Sequence, residues 1–333
     1  MMSVKRILGM AKKEALQIRR DKIVLRIPLV MPILWMFILS FAFVVTPNNL
    51  NLTIIDKADN VGSAKMIQKI KANENIHLES SANNRLIIKE DNSFALDLDG
   101  IDLINSRALE SEIKKSIALS NSFDIKYSYN VIDKTDLFII PGIIGLVLQN
   151  IITFLTAISI VKEKEKGTYS QLLFSPMTFF EIIIGKIIPY FLIGIFDLFV
   201  LSFLATFFFD VNILAVLLPY LVAGILFILS SLMLGILISS ISKNQMQALL
   251  FTVFLLLPSI LCSNFVFPVD SMPVFLRYLS LGMPLTYFND LSREIIIRNQ
   301  PLLDLTEPLL SLIGIIVITM FLSIFILNKN RRI

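Results

Sequence analysis

The chain has 333 residues, 55% hydrophobic and 17% charged, with a mean hydropathy of +0.76, whereas soluble domains hold about 45–50% apolar and about 25% charged residues. A single His (His77) and a single Cys (Cys262) exclude a His/Cys zinc site within the chain and an intrachain disulfide framework, and the apolar content excludes disorder. The net charge of +4 is small and the basic residues flank apolar runs, which argues against nucleic acid as a partner and for a polytopic membrane protein.

Residues 1–22 are predicted to form a cytoplasmic interfacial amphipathic helix. Projected at about 100° per residue, Val4, Ile7, Leu8, Ala11, Ala15 and Ile18 fall within an arc of about 100°, with Lys5, Arg6, Lys12, Lys13, Arg19 and Arg20 on an adjoining side. Such a helix suits the headgroup layer, so membrane lipid is an expected partner, with Lys12, Lys13, Arg19 and Arg20 as its contact residues. The same helix could also pass force from a cytoplasmic partner.

Six stretches reach the roughly 20 apolar residues that a helix needs to cross a hydrocarbon core: 23–46, 137–161, 182–209, 213–238, 248–267 and 308–327. The first carries Arg26 near its start and is longer than the about 7–15 residues of a signal-peptide core, so it reads as a retained anchor. The third holds Lys186 near its entry and Asp197 inside it, and the fifth holds Pro258. The runs are continuous, unlike the alternating segments of a membrane β-barrel. The predicted fold class is an all-α polytopic membrane protein of six transmembrane helices, with a small α+β extracytoplasmic domain between helices 1 and 2.

That domain is expected at 47–136. Strands are predicted at 51–56, 76–79, 85–89, 93–98 and 125–131, and helices at 60–72 and 106–119, with the first and last strands closing the domain. Its 14 acidic residues outnumber its 11 Lys/Arg, so it offers no polybasic lipid patch, and His77 reads as a surface residue. Basic residues in the short connections set the orientation. Seven Lys/Arg lie in 1–22, four in 162–186, one in 239–246 and three in 328–333, against Arg277, Arg293 and Arg298 alone on the other side. Both termini, the 239–247 loop and the 328–333 tail are therefore expected in the cytoplasm, and 268–307 outside, in a bacterial cytoplasmic (inner) membrane.

Residues 162–181 carry the most informative local chemistry. The alternating charges of Lys162, Glu163, Lys164, Glu165 and Lys166 begin where the second span ends. Gly167 is expected to break that helix and Thr168 to cap a short new one over 169–174, which Pro176 then stops. Read from the residues alone, this is either a solvated turn or a docking knob.

The run Glu163-Lys164-Glu165-Lys166-Gly167-Thr168, followed by Leu172-Leu173, Ser175-Pro176, Glu181, Gly185-Lys186 and Pro189-Tyr190, resembles the signature of the ABC-2 type exporter permeases. A second stretch is similar to that family's segment between spans five and six: Asn264-Phe265-Val266-Phe267-Pro268, Met272-Pro273, Leu276-Arg277-Tyr278, Pro284-Leu285-Thr286-Tyr287 and Arg293. Asn264 stands where the family commonly has Gly, and Lys164 where many members have Arg. The resemblance implies a permease subunit of an ATP-driven exporter, moving a drug, lipid or lipid-linked compound. It further implies a second permease subunit (homo- or heterodimer) and a separate ABC ATPase, which would carry the ATP and Mg. Coupling to that ATPase would fall to Glu163, Lys164, Glu165, Lys166, Gly167, Thr168, Gln171, Leu172 and Pro176. The chain itself has no G-x-x-x-x-G-K-[ST] loop, since Ile187 follows Gly185-Lys186, and no cofactor or metal is expected in it.

Asn150 and Asp197 are the polar residues that a pathway through the spans could use, though Gln149 and Asn150 also suit hydrogen bonding between helices. Asp197 leaves an ion-coupled secondary transporter open as an alternative, one with no symmetry between spans 1–3 and 4–6 to support it. A membrane-anchored sensor needs no six-span core. A membrane enzyme would need a nucleophile–base pair or clustered carboxylates, and the spans show neither.

Overall fold

The structure, a computed structural model, describes residues 3–42, 50–58, 60–73, 76–79, 84–89, 94–99, 109–110, 112–113, 123–128, 136–168, 177–265, 269 and 272–330. The chain divides into two compact units, one of 42–138 and one of 1–41 with 139–333.

The smaller unit is built on a five-stranded sheet in the order β2-β1-β3-β4-β5. Its strands are β1 (Leu50–Asp56), β2 (Ile76–Leu78), β3 (Arg85–Ile88), β4 (Phe94–Asp99) and β5 (Phe123–Ser128). Helix α3 (Val61–Lys71) crosses over from β1 to the parallel β2, as a parallel pair requires. Asn60 and Ser63 form a reciprocal capping box at its start, worth about 1 kcal/mol. Alternate residues Leu50 and Leu52, Leu86 and Ile88, and Leu96 and Leu98 share one core with Ile70, Leu109 and Ile113. The first and last strands do not meet, contrary to the sequence expectation. Both edges of β1 are occupied, by β2 and β3, so β5 pairs with β4 at the far side.

The larger unit is helical. It contains α1 (Val4–Arg20), α2 (Lys22–Ala42), α4 (Asp136–Glu165), α5 (Phe179–Phe208), α6 (Leu217–Ile241), α7 (Gln245–Cys262), α8 (Val274–Leu281), α9 (Pro284–Arg298) and α10 (Thr306–Asn330). Among the described residues five helices could cross a membrane by length and composition, and a sixth span arises if α1 and α2, bent by 72° about Asp21, count as one. The bend leaves the segment predicted as interfacial at a steep angle to the one predicted as the first span.

Helix α6 lies at the centre, packed against α5, α7, α9 and α10 and against α4 through Thr153 and Thr156. Small residues on it allow that crowding: a Cβ on Gly235 would lie 2.8 Å from the Thr153 carbonyl oxygen. The hydroxyls of Ser230, Ser231, Ser239 and Ser240 donate to carbonyls three or four residues back, which satisfies them inside an apolar helix. Phe227 of α6 stacks on Phe288 of α9, ring centroids 4.3 Å apart. The segment 268–307 carries two helices, α8 and α9, among its described residues. Pro273 and Pro284 open α8 and α9, where a missing N–H costs nothing.

Candidate functional site

The charged run at the end of α4 lies on the helix itself. The apolar stretch was expected to stop at 161, but α4 continues to Glu165. Successive helical residues point about 100° apart, so four consecutive side chains reach four different directions. Lys162 Nζ pairs with Asp21 Oδ2 at 2.7 Å, at the α1–α2 bend. Glu163 Oε1 meets Lys13 Nζ of α1 at 2.7 Å, and its Oε2 meets Lys186 Nζ of α5 at 2.9 Å. Lys164 donates to the Ser239 carbonyl near the C-terminus of α6. Glu165 accepts from the backbone N–H of Gln245 at 2.8 Å and from its side chain, at the N-terminus of α7. The signs suit the partners, a cation at the negative end of one helix dipole and an anion at the positive end of another.

Inside this hub three ionic side chains are buried. Glu14 is 2% exposed, Lys186 3% and Glu163 4%. Lys186 Nζ bridges Glu14 Oε2 at 3.1 Å and Glu163 Oε2 at 2.9 Å. Tyr190 donates its hydroxyl to Glu14 Oε1 at 2.9 Å. With Lys13 the group holds two cations and two carboxylates, the balance that makes burial tolerable. Nearby, Glu181 accepts from the backbone N–H of Ser3 and of Thr178, both at 2.6 Å. It thus caps α5 and ties down the start of α1 together. Gly185 allows the approach: a Cβ there would lie 2.6 Å from Met10 Cβ and 3.0 Å from the Ile7 carbonyl oxygen.

Gly167 ends α4 with φ +70° and open space around it, the left-handed conformation that glycine adopts without strain. Thr168 turns its hydroxyl back to the Glu163 carbonyl at 3.4 Å, and the helix that it is expected to cap falls outside the described residues. Lys166 and Gly167 are exposed. Gln171, Leu172 and Pro176, like the short helix expected over 169–174, lie outside the described residues.

On α1 the expected contact residues divide. Lys13 faces the hub, while Lys12, Arg19 and Arg20 are exposed. The apolar arc divides too. Ala11 and Ile18 are buried with Met10 and Glu14, whereas Val4, Leu8 and Ala15 stay exposed. Glu14 was missed by the sequence reading. Its signal was a lone carboxylate between Ile7 and Ile18 on an otherwise apolar face, which calls for a buried cation opposite.

The polar residues of the spans are placed as follows. Gln149 of α4 donates to Ser259 of α7 at 3.0 Å, and Thr153 to the Ser231 carbonyl at 3.1 Å. Gln149, Asn150, Thr153, Thr252 and Ser259 line a crevice between α4 and α7 with about 10 Å³ of room, enough for about one water. Asp197 is apart from it, 1% exposed, and neither carboxylate oxygen has a hydrogen-bond partner among the described residues.

The stretch after α7 forms a second polar junction. Asn289 donates to the Ser263 carbonyl at 2.8 Å, Arg293 to the Phe265 carbonyl at 3.4 Å and Asn264 to Asp290 Oδ1 at 2.6 Å. One face of α9 thereby serves carbonyls that follow the end of α7. Burial draws the Arg293 guanidinium down to about 10, with Asp290 opposing, so it stays cationic at neutral pH.

A bundle of span-length apolar helices, tied at one end by an ionic hub, is compatible with a membrane permease. The family described as ABC-2 type transporter matches residues 111–297, more than half of the chain, and the chain belongs to that family. It is 32% identical over 210 residues to a protein of Escherichia coli (strain K12) described as a probable multidrug ABC transporter permease, YbhS, covering 62% of this chain and 55% of the relative. It is 30% identical over 165 residues to another so described, YbhR, covering 50% of this chain and 45% of the relative. An inner membrane transport permease of the same organism, YhhJ, is 30% identical over 149 residues, 43% of this chain and 39% of that one. The chain spans about half the length of the relatives that it matches.

Proposed function

We propose that this chain is the permease subunit of an ATP-driven exporter. It pairs with a second permease subunit, of the same or another kind, and each is driven by a separate ABC ATPase that holds the ATP and Mg. The observation that carries the reading is the hub, where four consecutive side chains of α4 are bound to the α1–α2 bend, to α1 and α5, to the end of α6 and to the start of α7. A push on the exposed Lys166–Gly167 turn reaches those helices together, because the buried ion pairs within the hub are costly to separate.

In this reading the hub, both termini and the 239–247 loop face the cytoplasm, and the sheet-containing unit and α8–α9 face outward, in a bacterial inner membrane. The six spans are those expected from the sequence, 23–46 included. The cargo is hydrophobic or amphipathic: the relatives YbhR and YbhS are described as probable multidrug permeases, and Asn150, on the α4–α7 crevice, and Asp197 are the polar residues of the spans that a pathway could use. The test is co-purification with an ATPase encoded beside this chain, followed by ATP-dependent drug or lipid efflux from proteoliposomes. Replacement of Glu165 or Gly167 should lower efflux per ATP hydrolysed while the assembly persists. If the chain moves cargo without an ATPase, driven by an ion gradient, and Asp197→Asn stops it, the ion-coupled reading replaces this one. The two buried oxygens of Asp197, without a hydrogen-bond partner among the described residues, are the observation behind that alternative.

A further inference from the structure

We propose that the crevice between α4 and α7 is a binding site for a single water molecule, which joins the two helices within the predicted spans. The polar groups of its wall are Gln149, Asn150 and Thr153 of α4 and Thr252 and Ser259 of α7. Gln149 is 3% exposed. It directs its amide N–H to Ser259 at 3.0 Å, while its Oε1 has no hydrogen-bond partner among the described residues. The hydroxyl hydrogens of the wall are committed elsewhere. Thr153 donates to the Ser231 carbonyl at 3.1 Å, Thr252 to the Ala248 carbonyl at 2.8 Å and Ser259 to Met283 Sδ at 4.0 Å. Each of those oxygens keeps a lone pair. The crevice is therefore rich in acceptors, and the half-buried Asn150 amide adds donors to it.

A water molecule meets each of these groups. It donates to Gln149 Oε1 and to one hydroxyl oxygen and accepts from Asn150, which gives the about three bonds usual for a buried water. The room, about 10 Å³, suits about one water and no larger ligand. An apolar group there would leave the Gln149 oxygen desolvated and unpaired, and an anion would meet mostly acceptors. Gln149 and Thr153 stand about one turn apart on α4, and Thr252 and Ser259 about two turns apart on α7. The acceptors thus form a ladder along the crevice. A water passes from one rung to the next as the helices slide, so the contact yields without baring a polar group. In the exporter reading this is where α4, driven at the hub, shifts against α7; the water site itself does not rest on that reading.

The test is radiolytic footprinting of the full chain in nanodiscs, without any ATPase. Hydroxyl radicals formed from a bound water oxidise the side chains beside it even where bulk solvent is excluded. Leu146 and Leu148 of α4 are 1% and 0% exposed, and of the two only Leu146 lines the crevice. Leu146 should acquire label and Leu148 should not. After rapid mixing into heavy-oxygen water, the label at Leu146 should take up the isotope more slowly than that at the exposed Leu78 of the sheet, since a bound water exchanges late. Gln149→Leu and Asn150→Leu, folded as judged by gel filtration, should lose the label at Leu146, whereas Thr252→Ser, which keeps the hydroxyl, should retain it. Equal labelling of Leu146 and Leu148 in the parent chain overturns the proposal, whether both react or neither does. So does isotope uptake at Leu146 as fast as at Leu78, which would mean an open path for bulk solvent, or full labelling in both leucine variants.

Discussion

Lys186 Nζ lies 3.1 Å from Glu14 Oε2, a buried pair between residues 172 positions apart in the chain. It joins α1 to the third predicted span, and Glu163 adds the end of the second. Removal of the lysine leaves two buried carboxylates without their shared cation. Lys186→Met should cost about 3–5 kcal/mol, read as a lower unfolding midpoint of the detergent-solubilised chain. The double variant Glu14→Gln with Lys186→Met should recover part of that loss, because one of the orphaned charges is gone. Additive losses would show that the residues do not act as a unit.

Gly185 lets α1 reach this pair. The added methyl of Gly185→Ala would sit 2.6 Å from Met10 Cβ and 3.0 Å from a backbone oxygen. The backbone contact cannot be relieved by a rotamer change, so the helices must separate. We expect a loss of about 1–3 kcal/mol, with faster amide exchange in 4–18 than in α6. Met10→Ala combined with Gly185→Ala should restore part of the protection.

Much of the hub was legible in the sequence as residues, though not as partners. Alternating charges after an apolar run mark the end of α4, and Gly167 marks its stop. The run's targets were hidden, because Asp21, Lys13, Ser239 and Gln245 are brought to it by packing over separations of 75 to 150 residues, and Lys186 reaches it from the next long helix. The apolar arc of α1 was visible, but a periodic pattern does not say whether protein or lipid covers it, and here the protein covers Ala11 and Ile18 but not Val4, Leu8 and Ala15. The sheet order was hidden for a similar reason: strand positions follow from composition, whereas the choice of β2 and β3 as neighbours of β1 depends on the path of α3. The helices α8 and α9 were covered in the sequence only by a segment, 268–307, without bounds of their own, because short helices give too few turns for a clear period.

At the other end of the bundle, Asn289 donates to the Ser263 carbonyl while buried. Asn289→Leu leaves that carbonyl without its donor, at about 1–3 kcal/mol. Because the lost bond lies just past the end of α7, we expect the amides of 262–265 to exchange faster while those of α5 keep their protection. Protection lost equally across the bundle would assign Asn289 a general packing role.

Gly167 tests geometry with little interference from packing. No atom lies within 4 Å of a Cβ built there, so a substitution acts through the backbone alone. Gly167→Ala places a side chain at φ +70°, costing about 1 kcal/mol, and Gly167→Asn should cost less, as Asn tolerates that region. If the turn is the point where an ATPase pushes, efflux per ATP hydrolysed should fall in the order Gly, Asn, Ala, with the amount of folded chain unchanged.

Asp197 asks for the opposite outcome. Both its oxygens are buried without a hydrogen-bond partner among the described residues, and such groups oppose folding. Gly194 and Leu198, on the same side of α5, meet Ile152, Ile228 and Gly224, so the surroundings of the carboxylate include α4 and α6. Asp197→Leu should therefore fold as well as the parent chain or better, with an unfolding midpoint equal or raised. A carboxylate kept only through close packing of the spans predicts that ATP-driven efflux also survives the change. A stable Asp197→Leu variant that has lost efflux would instead assign the carboxylate to the movement of cargo, since stability and transport would then have separated at one side chain.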